Sequence, residues 1–406
     1  MPFNPATALA YARALARPRL LGTGEDEAVA QEIVDQLTRF GWQVERQPFE
    51  FVTGVNQMAR WMVLAGEILI LLIFWAWGVS VWISIPLAAL LLILFFSTDR
   101  LLRAAEAASL EPSDSLLSRL CWRLGKRYAT ANIIANPHPN PAGAPSTKSV
   151  DGGGVGVSHV YFVAHLDSKG QFIPIILRAV LFGVLGGGAV ILAGVTLLRA
   201  VWPGLTSLGA LAGITALLTG VPLLFLDANN RSPGAIDNAS GLGLVLHLAE
   251  CLGQDAKLDV TVLITSAEEL AVMGAAAYMR ANLNTLQAQA SNLHVLNFDG
   301  IGVKGRLNYM GRPGRLLDVT RQACAELGLP LARFGLGGVL FDHIPFARHG
   351  LDALTLMSIG PASWWVHTAR DTVDKLDEEG FRQSGAVAER VIEKLIELSK
   401  SAGQLA

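Results

Sequence analysis

The chain has 406 residues, of which 51% are hydrophobic and only 16% charged, against roughly 25% charged in ordinary soluble domains. That excludes a disordered chain, a collagen-like repeat and a coiled coil, each of which needs a more polar or more repetitive sequence. Basic residues number 32 and acidic residues 34, a net charge of −2, so no basic face points to nucleic acid. Cys121, Cys251 and Cys324 are scattered and odd in number. They exclude a disulfide framework and suit buried thiols in a reducing compartment.

In chain order, Met1 to Leu21 carries Arg13, Arg17 and Arg19 among alanines, which is not the pattern of a signal peptide. Asn4–Ala16 and Asp26–Phe40 have helical periodicity, with Gly41 placed to end the second helix. Gln43–Val52 reads as a strand. Trp61 to Phe96 is then apolar throughout, with Glu67 as its one ionisable residue. It is too long for a single crossing of a ~30 Å hydrocarbon layer. The spacing predicts two spans, Trp61–Gly78 and Val81–Phe96, meeting near Ser80 and Pro86. Pro137 to Gly154 is a Pro/Gly/Asn/Ser loop, and Val155–Ala164 a buried strand. A second apolar block, Ile173 to Leu226, is broken at Trp202-Pro203-Gly204 and predicts spans Ala179–Leu198 and Leu205–Leu226. Beyond it, strands Leu258–Thr265, His294–Phe298 and Leu351–Ser358 alternate with helices Gly241–Leu252, Ala271–Asn282 and Arg315–Leu327. Glu378–Ser399 closes the chain as a helix.

The expected architecture is α/β: a mixed, largely parallel sheet sandwiched by helices, with four transmembrane helices inserted as two hairpins. The alternative is two apolar hairpins buried in a large soluble domain, but runs this long with so few charges fit poorly in a soluble core. The organisation read from this has the catalytic domain in three pieces, residues 1–57, 101–171 and 228–406, interrupted by hairpins at 58–100 and 172–227. Arg46, Arg60, Arg100, Arg103, Lys169, Arg178 and Arg231 flank the hairpins on one side, and only Arg199 lies at a tip. The positive-inside rule therefore puts the polar parts in the cytoplasm, at a bacterial inner membrane. Trp61, Trp75, Trp77 and Trp82 read as interfacial anchors, and Glu67 as a snorkelling or helix-contact carboxylate.

Ligands of such sheets bind outside the carboxyl ends of the strands. Val155–Ala164 is followed by His165-Leu166-Asp167-Ser168, and Leu258–Thr265 by Ser266-Ala267-Glu268-Glu269. His294–Phe298 runs into Asp299-Gly300. Asp237 lies in the turn before a helix, and Val366-His367-Thr368 follows the last strand. Five potential ligands (His165, Asp237, Glu269, Asp299 and His367) thus share one sheet edge. Imidazole with carboxylate and no thiolate suits catalytic zinc. One catalytic zinc takes three protein ligands, whereas five ligands with one bridging carboxylate serve two ions. Two ions about 3.5–4 Å apart can activate a water between them and stabilise an oxyanion from both sides. Of the adjacent pair Glu268-Glu269, one side chain can bind metal while the other acts as general base. Asp167 is placed to accept the second imidazole N–H of His165. Asp371 reads as orienting the His367 loop, and His138, His159, His247, His294 and His349 as structural.

His-Leu-Asp-Ser, Gly-Ala-Ile-Asp-Asn-Ala-Ser-Gly, Ala-Glu-Glu, Asn-Phe-Asp and Val-His-Thr-Ala-Arg-Asp-Thr resemble, in this order, the motifs of the co-catalytic di-zinc exopeptidases. That family includes the bacterial leucyl aminopeptidase type, glutamate carboxypeptidase, glutaminyl cyclase and the transferrin receptor. The resemblance covers 132–171 and 228–375 well and 1–57 weakly, and it leaves out both apolar blocks. It implies a zinc-exopeptidase-like fold with Asp237 as the bridging ligand. His165 and Asp299 would complete one site, Glu269 and His367 the other, with Glu268 as base and a cis peptide at Asp237–Asn238. Phe341-Asp342-His343 resembles a Ser-Asp-His segment lining the family's substrate side, with Phe341 in place of the small polar residue.

The expected function is that of a membrane-anchored di-zinc aminopeptidase, with cobalt or manganese also acceptable to these ligands. Its partners would be a peptide or protein N-terminus and the lipid bilayer, without nucleic acid. The rival readings are a carboxypeptidase, for which Arg312, Arg333 or Arg370 could hold a terminal carboxylate, an amide hydrolase, a glutaminyl cyclase and a non-catalytic membrane scaffold.

Overall fold

The computed structural model describes residues 2–137, 158–253, 259–335 and 339–404. The predicted loop beyond Pro137, His138 with it, and the first residues of the predicted strand Val155–Ala164 lie outside the described residues. Helices α1 (Pro5–Leu15) and α2 (Glu25–Arg39) open the chain. The Asn4 side chain caps α1 by accepting from the N–H groups of Ala6 and Thr7. Gly41, with φ +83°, follows the end of α2 in the left-handed conformation that glycine adopts without strain. Strand β1 (Gln43–Val52) leads into the first apolar pair, α3 (Gly54–Trp77) and α4 (Val81–Leu110). Helix α5 (Leu116–Leu124) and strands β2 (Arg127–Asn136) and β3 (His159–His165) come next. The second apolar pair is α6 (Ile175–Leu198) and α7 (Thr206–Leu223). After it come α8 (Ser240–Leu252), β4 (Asp259–Thr265), α9 (Met273–Ala288), β5 (Leu293–Phe298) and β6 (Arg306–Gly311). The chain finishes with α10 (Arg315–Glu326), β7 (Leu331–Arg333), α11 (His343–Arg348), β8 (Asp352–Ile359) and α12 (Glu378–Gln404).

The sheet has eight strands in the order β1-β2-β4-β3-β5-β8-β6-β7. Its centre, β4-β3-β5-β8, is parallel, and antiparallel pairs join β2 to β4 and β8 to β6. The mixed, largely parallel sheet is therefore as expected. Strand β3 is buried on both faces. Val160, Phe162 and Ala164 belong to the core beneath α1, α2, α8, α10 and α12, whereas Tyr161 and Val163 join the core under α9 and α11. That alternation is the two-residue period of a strand, and burying each large apolar side chain stabilises the fold by about 1.5–3 kcal/mol.

Strands β2, β6 and β7 and helices α5 and α11 had no counterpart in the sequence reading. Strand β2 is built of Arg, Ala, Thr and Asn as much as Ile, and its pairing on both sides overrides weak propensity. Its Asn132 is buried, donating to the Gly274 carbonyl (2.9 Å) and accepting from the Ser266 N–H (3.0 Å).

Four helices, α3, α4, α6 and α7 with its preceding turn, are long and apolar enough to cross a membrane. Ile70, Ile73, Ala88, Leu91, Ala189, Leu192, Ala193 and Ala216 interlock between them, and Trp82, Phe96 and Leu218 face outward. Two details differ from expectation. Pro86 lies inside α4, six residues after the Ser80 cap, where the Trp82 carbonyl loses its helical donor; the reversal is at Gly78–Ser80. Trp77 turns into the bundle, donating to Thr196 Oγ1 (3.1 Å) beneath the Arg199 guanidinium, while Trp61, Trp75 and Trp82 stay exposed. Glu67 makes a helix contact. Its carboxylate faces Gly220 of α7, where a Cβ would overlap it.

Candidate metal centre

The strand ends converge as the sheet order requires. His165 closes β3, beside Thr265 at the end of β4. After Thr265, Ala267 adopts φ +60°, and Glu268–Leu270 form a single tight turn. His367 also has a left-handed backbone, φ +63°, a conformation uncommon for non-glycine residues. Asp237 lies in the turn opened by Gly234 (φ +58°), and the peptide bond Asp237–Asn238 is cis, as the motif implied. Asn238 donates to the Phe298 carbonyl (2.8 Å), which ties this turn to the end of β5 next to Asp299.

All five candidate ligands meet, as two trios that share Asp237: His165, Asp237 and Asp299, and Asp237, Glu269 and His367. His165 Nε2 lies 2.9 Å from one carboxylate oxygen of Asp237 and 3.6 Å from Asp299. His367 Nε2 lies 2.9 Å from the other oxygen of Asp237 and 3.0 Å from Glu269. Glu268 belongs to neither trio and stands 4.0 Å from His165 Nε2. The donor set fits a pair of divalent ions. His165 Nε2 and Asp237 Oδ1 are buried and, although 2.9 Å apart, form no aligned hydrogen bond with each other or any other group, which an apolar core would penalise and a metal ion would satisfy.

The electrostatics agree. Burial opposes ionisation of Asp237, yet His165 and His367 pull its carboxyl well below the usual range. Glu269 is likewise lowered to about 2, against its burial, by His367 and Lys169. Glu268 and Asp299 are held well above the usual range, first by burial and then by neighbouring carboxylates. Carboxylates crowded this closely cannot all ionise unless positive charge is added.

The role expected of the Asp167 carboxylate is divided. His165 Nδ1 donates to the Asp167 backbone carbonyl (3.0 Å), and the carboxylate is 3.8 Å away. The carboxylate instead accepts the N–H groups of Glu268 (3.1 Å) and Glu269 (3.2 Å). Two converging N–H donors at the left-handed turn outcompete one imidazole. Asp371 likewise reaches past its own loop, accepting from the N–H groups of Ile236 (2.7 Å) and Asp237 (3.2 Å), and burial pushes its carboxyl up to about 7. Of the rival clamp residues, Arg370 stacks on Trp365 and Arg312 donates to the Ala347 carbonyl. Asp342 is buried against Thr265 and His343 against Thr355, so this segment braces β4 and β8. Two participants had no sequence signal beyond their charge. Lys169 pairs with Glu269 (2.7 Å), and Arg19, wholly buried, donates to the carbonyls of Leu166, Pro233 and Gly234.

A profile of Peptidase family M28 matches residues 222–392. The family resemblance read from the motifs is borne out. Aminopeptidase YwaD of Bacillus subtilis (strain 168) is 25% identical over 181 residues, 42% of this chain and 39% of that protein. The chain thus aligns with about two fifths of the length of this curated relative. Among solved structures, the fold resembles BSAP, a zinc aminopeptidase from Bacillus subtilis (TM-score 0.52, 15% identity, 97% of this chain and 95% of that one). It also resembles an aminopeptidase from Aneurinibacillus sp. strain AM-1 (TM-score 0.54, 15% identity, 97% and 94%). An Acidobacteriales bacterium glutaminyl cyclase shares the fold as well (TM-score 0.53, 14% identity, 98% and 96%). Zinc is the metal that the M28 resemblance implies for these trios.

Asp371 gives the centre a direct test. In Asp371→Asn, an amide NH2 can replace one of the two acceptors facing the Asp237 turn, so the shared ligand loosens. Zinc affinity, measured by chelator competition, is expected to fall about 10- to 100-fold with the overall fold unchanged.

Proposed function

We propose that this chain is a membrane-anchored zinc metallo-exopeptidase that removes residues from peptide N-termini. The observation that carries the reading is the pair of ligand trios sharing Asp237, with Glu268 beside them and outside both. Asp237 would bridge two zinc ions, with His165 and Asp299 completing one site and Glu269 and His367 the other. When bound, the ions supply Lewis acidity, polarising the scissile carbonyl and lowering the pKa of water. Glu268 takes a proton from the attacking water and returns it to the leaving amine. Asp167 holds the backbone of Glu268 and Glu269, and Asp371 holds that of Asp237. The similarity to Aminopeptidase YwaD favours an aminopeptidase.

In this reading the catalytic domain is made of residues 1–57, 101–171 and 228–406, with membrane hairpins at 58–100 and 172–227. The four apolar helices support anchoring, and the flanking basic residues favour a cytoplasmic catalytic face. The second hairpin lies between His165 and Asp237 in sequence, so the centre would sit at the membrane surface and act on termini presented there.

The test is hydrolysis of peptides with free and with acetylated N-termini by detergent-purified protein whose zinc has been counted. Release of single N-terminal residues from the free set alone is expected. Two zincs bound with neither set cleaved would transfer the site to another amide substrate or to cyclisation of N-terminal glutamine. A chain that binds no zinc would be a scaffold.

A further inference from the structure

We infer that Arg178, at the start of the second apolar pair and tied through Gln171 to the His367 loop, forms a binding site for an oxyanion, a carboxylate or a phosphate. The inference rests on the exopeptidase reading for its chemistry and on different residues for its geometry. Between β3 and α6 the chain is pinned to the second ligand trio at two points. The Lys169 N–H donates to Glu269 Oε1 (3.1 Å), and the Gln171 N–H donates to the His367 carbonyl (2.7 Å). Between them, Gly170 exchanges two backbone hydrogen bonds with Asn229, at 2.7 and 2.9 Å. This short segment therefore moves with the ligands.

Arg178 lies in the first turn of α6, its N–H bonded to the Pro174 carbonyl (2.9 Å), and its guanidinium donates to the Gln171 side chain. Its charge is within electrostatic reach of Glu269, Asp237 and Glu268. Among the described residues it nevertheless forms no ion pair with any carboxylate, whereas Lys169, on the same segment, is already paired to Glu269. A guanidinium carries five N–H donors in a planar fork that matches a carboxylate or phosphate, and here one side-chain oxygen engages it. With divalent ions balancing the ligand carboxylates, the Arg178 guanidinium has no carboxylate partner of its own among the described residues. The positive end of a 24-residue helix adds to the same field. Substrate specificity follows: the site prefers a molecule with an oxyanion close to the scissile bond. A dipeptide with a free carboxylate meets this requirement directly. A phosphate on a lipid headgroup could instead occupy the fork and seat the substrate beside it.

The experiment uses full-length protein in nanodiscs, with zinc counted. The probes are Leu-Ala with a free carboxylate and Leu-Ala amide, in neutral phosphatidylcholine and in phosphatidylglycerol. Arg178→Gln is expected to raise KM for the acid about 10- to 100-fold, the range for a hydrogen bond to a charged group, with kcat and the amide little changed. Arg178→Lys should recover part of the loss. A stimulation of amide hydrolysis by phosphatidylglycerol that vanishes in Arg178→Gln places the oxyanion on the lipid. Direct titration of zinc-loaded Glu268→Gln protein with the two dipeptides separates this inference from the function it rests on. Tighter binding of the acid, abolished by Arg178→Gln, upholds the site even if the wild type cleaves neither dipeptide. Cleavage with no Arg178-dependent difference between acid and amide, or between lipids, overturns the site and leaves the exopeptidase reading standing.

Discussion

Replacing Glu268 by Gln is expected to lower kcat by about a hundred- to ten-thousand-fold, the span of general base catalysis, while zinc stays bound. The two neighbouring glutamates are directed apart by the turn that follows β4. Asp167 clamps both backbone N–H groups, and the left-handed Ala267 turns the chain so that the two side chains diverge. Glu269 goes to His367 and Lys169, at 3.0 and 2.7 Å. Glu268 is left 4.0 Å from the His165 imidazole and outside both trios. Burial, joined by the neighbouring carboxylates, holds its carboxyl above the usual range. Glutamine preserves the shape and removes the base. The measurement is kcat alongside zinc content. Activity within tenfold of wild type would remove Glu268 from the mechanism, and loss of zinc would make it a ligand. Glu269→Gln is the control, in which zinc itself should be lost.

The second large effect is expected far away in sequence. Arg19→Met should destabilise the protein by about 2–6 kcal/mol, the cost of leaving two buried carbonyls without donors at about 1–3 kcal/mol each, and weaken zinc binding with it. The Arg19 guanidinium is fully buried and reaches the carbonyls of Leu166 (2.6 Å), Pro233 (2.7 Å) and Gly234 (3.0 Å). It bonds no carboxylate directly. Asp371, Asp167, Asp237 and Glu269 support its charge through space, while burial draws it down to about 10. Methionine fills the volume and leaves the carbonyls of Leu166 and Pro233 without donors, each costing about 1–3 kcal/mol, while the Gly234 carbonyl keeps only the Ala239 N–H (2.9 Å). Those carbonyls belong to the segment after His165 and the turn before Asp237, so both ends of the shared site loosen. Chemical unfolding in detergent, with chelator competition, reads both effects. A variant as stable as wild type would mean that water replaces the guanidinium.

What the sequence revealed depended on how local each signal was. The candidate ligands His165, Glu269 and Asp299 follow runs of apolar or β-branched residues that could be recognised as central strands, so their common edge was legible. Strand β2, with Ala129, Ala131 and Asn132 in its interior, has no such run and exists because its neighbours pair with it. Hydropathy marked the apolar part of α4 as far as Phe96, but the helix continues to Leu110 through Asp99 and Arg103, an i,i+4 ion pair. The sequence places Asp167 beside His165 without distinguishing its carbonyl from its carboxylate. Arg19 was invisible because its partners are more than a hundred residues away.

The order of strands in the sheet also dictates an order in time. Strand β3 lies between β4 and β5, and both are encoded after the second apolar pair. As the chain leaves the ribosome, α3, α4, α6 and α7 are complete before β3 has any partner. The N-terminal domain pieces must therefore wait, with β1 and β2 joined only to each other, until Asp259–Thr265 arrives and inserts between β2 and β3. His367 is made later still. The helical pairs are thus placed first, and the catalytic half closes last.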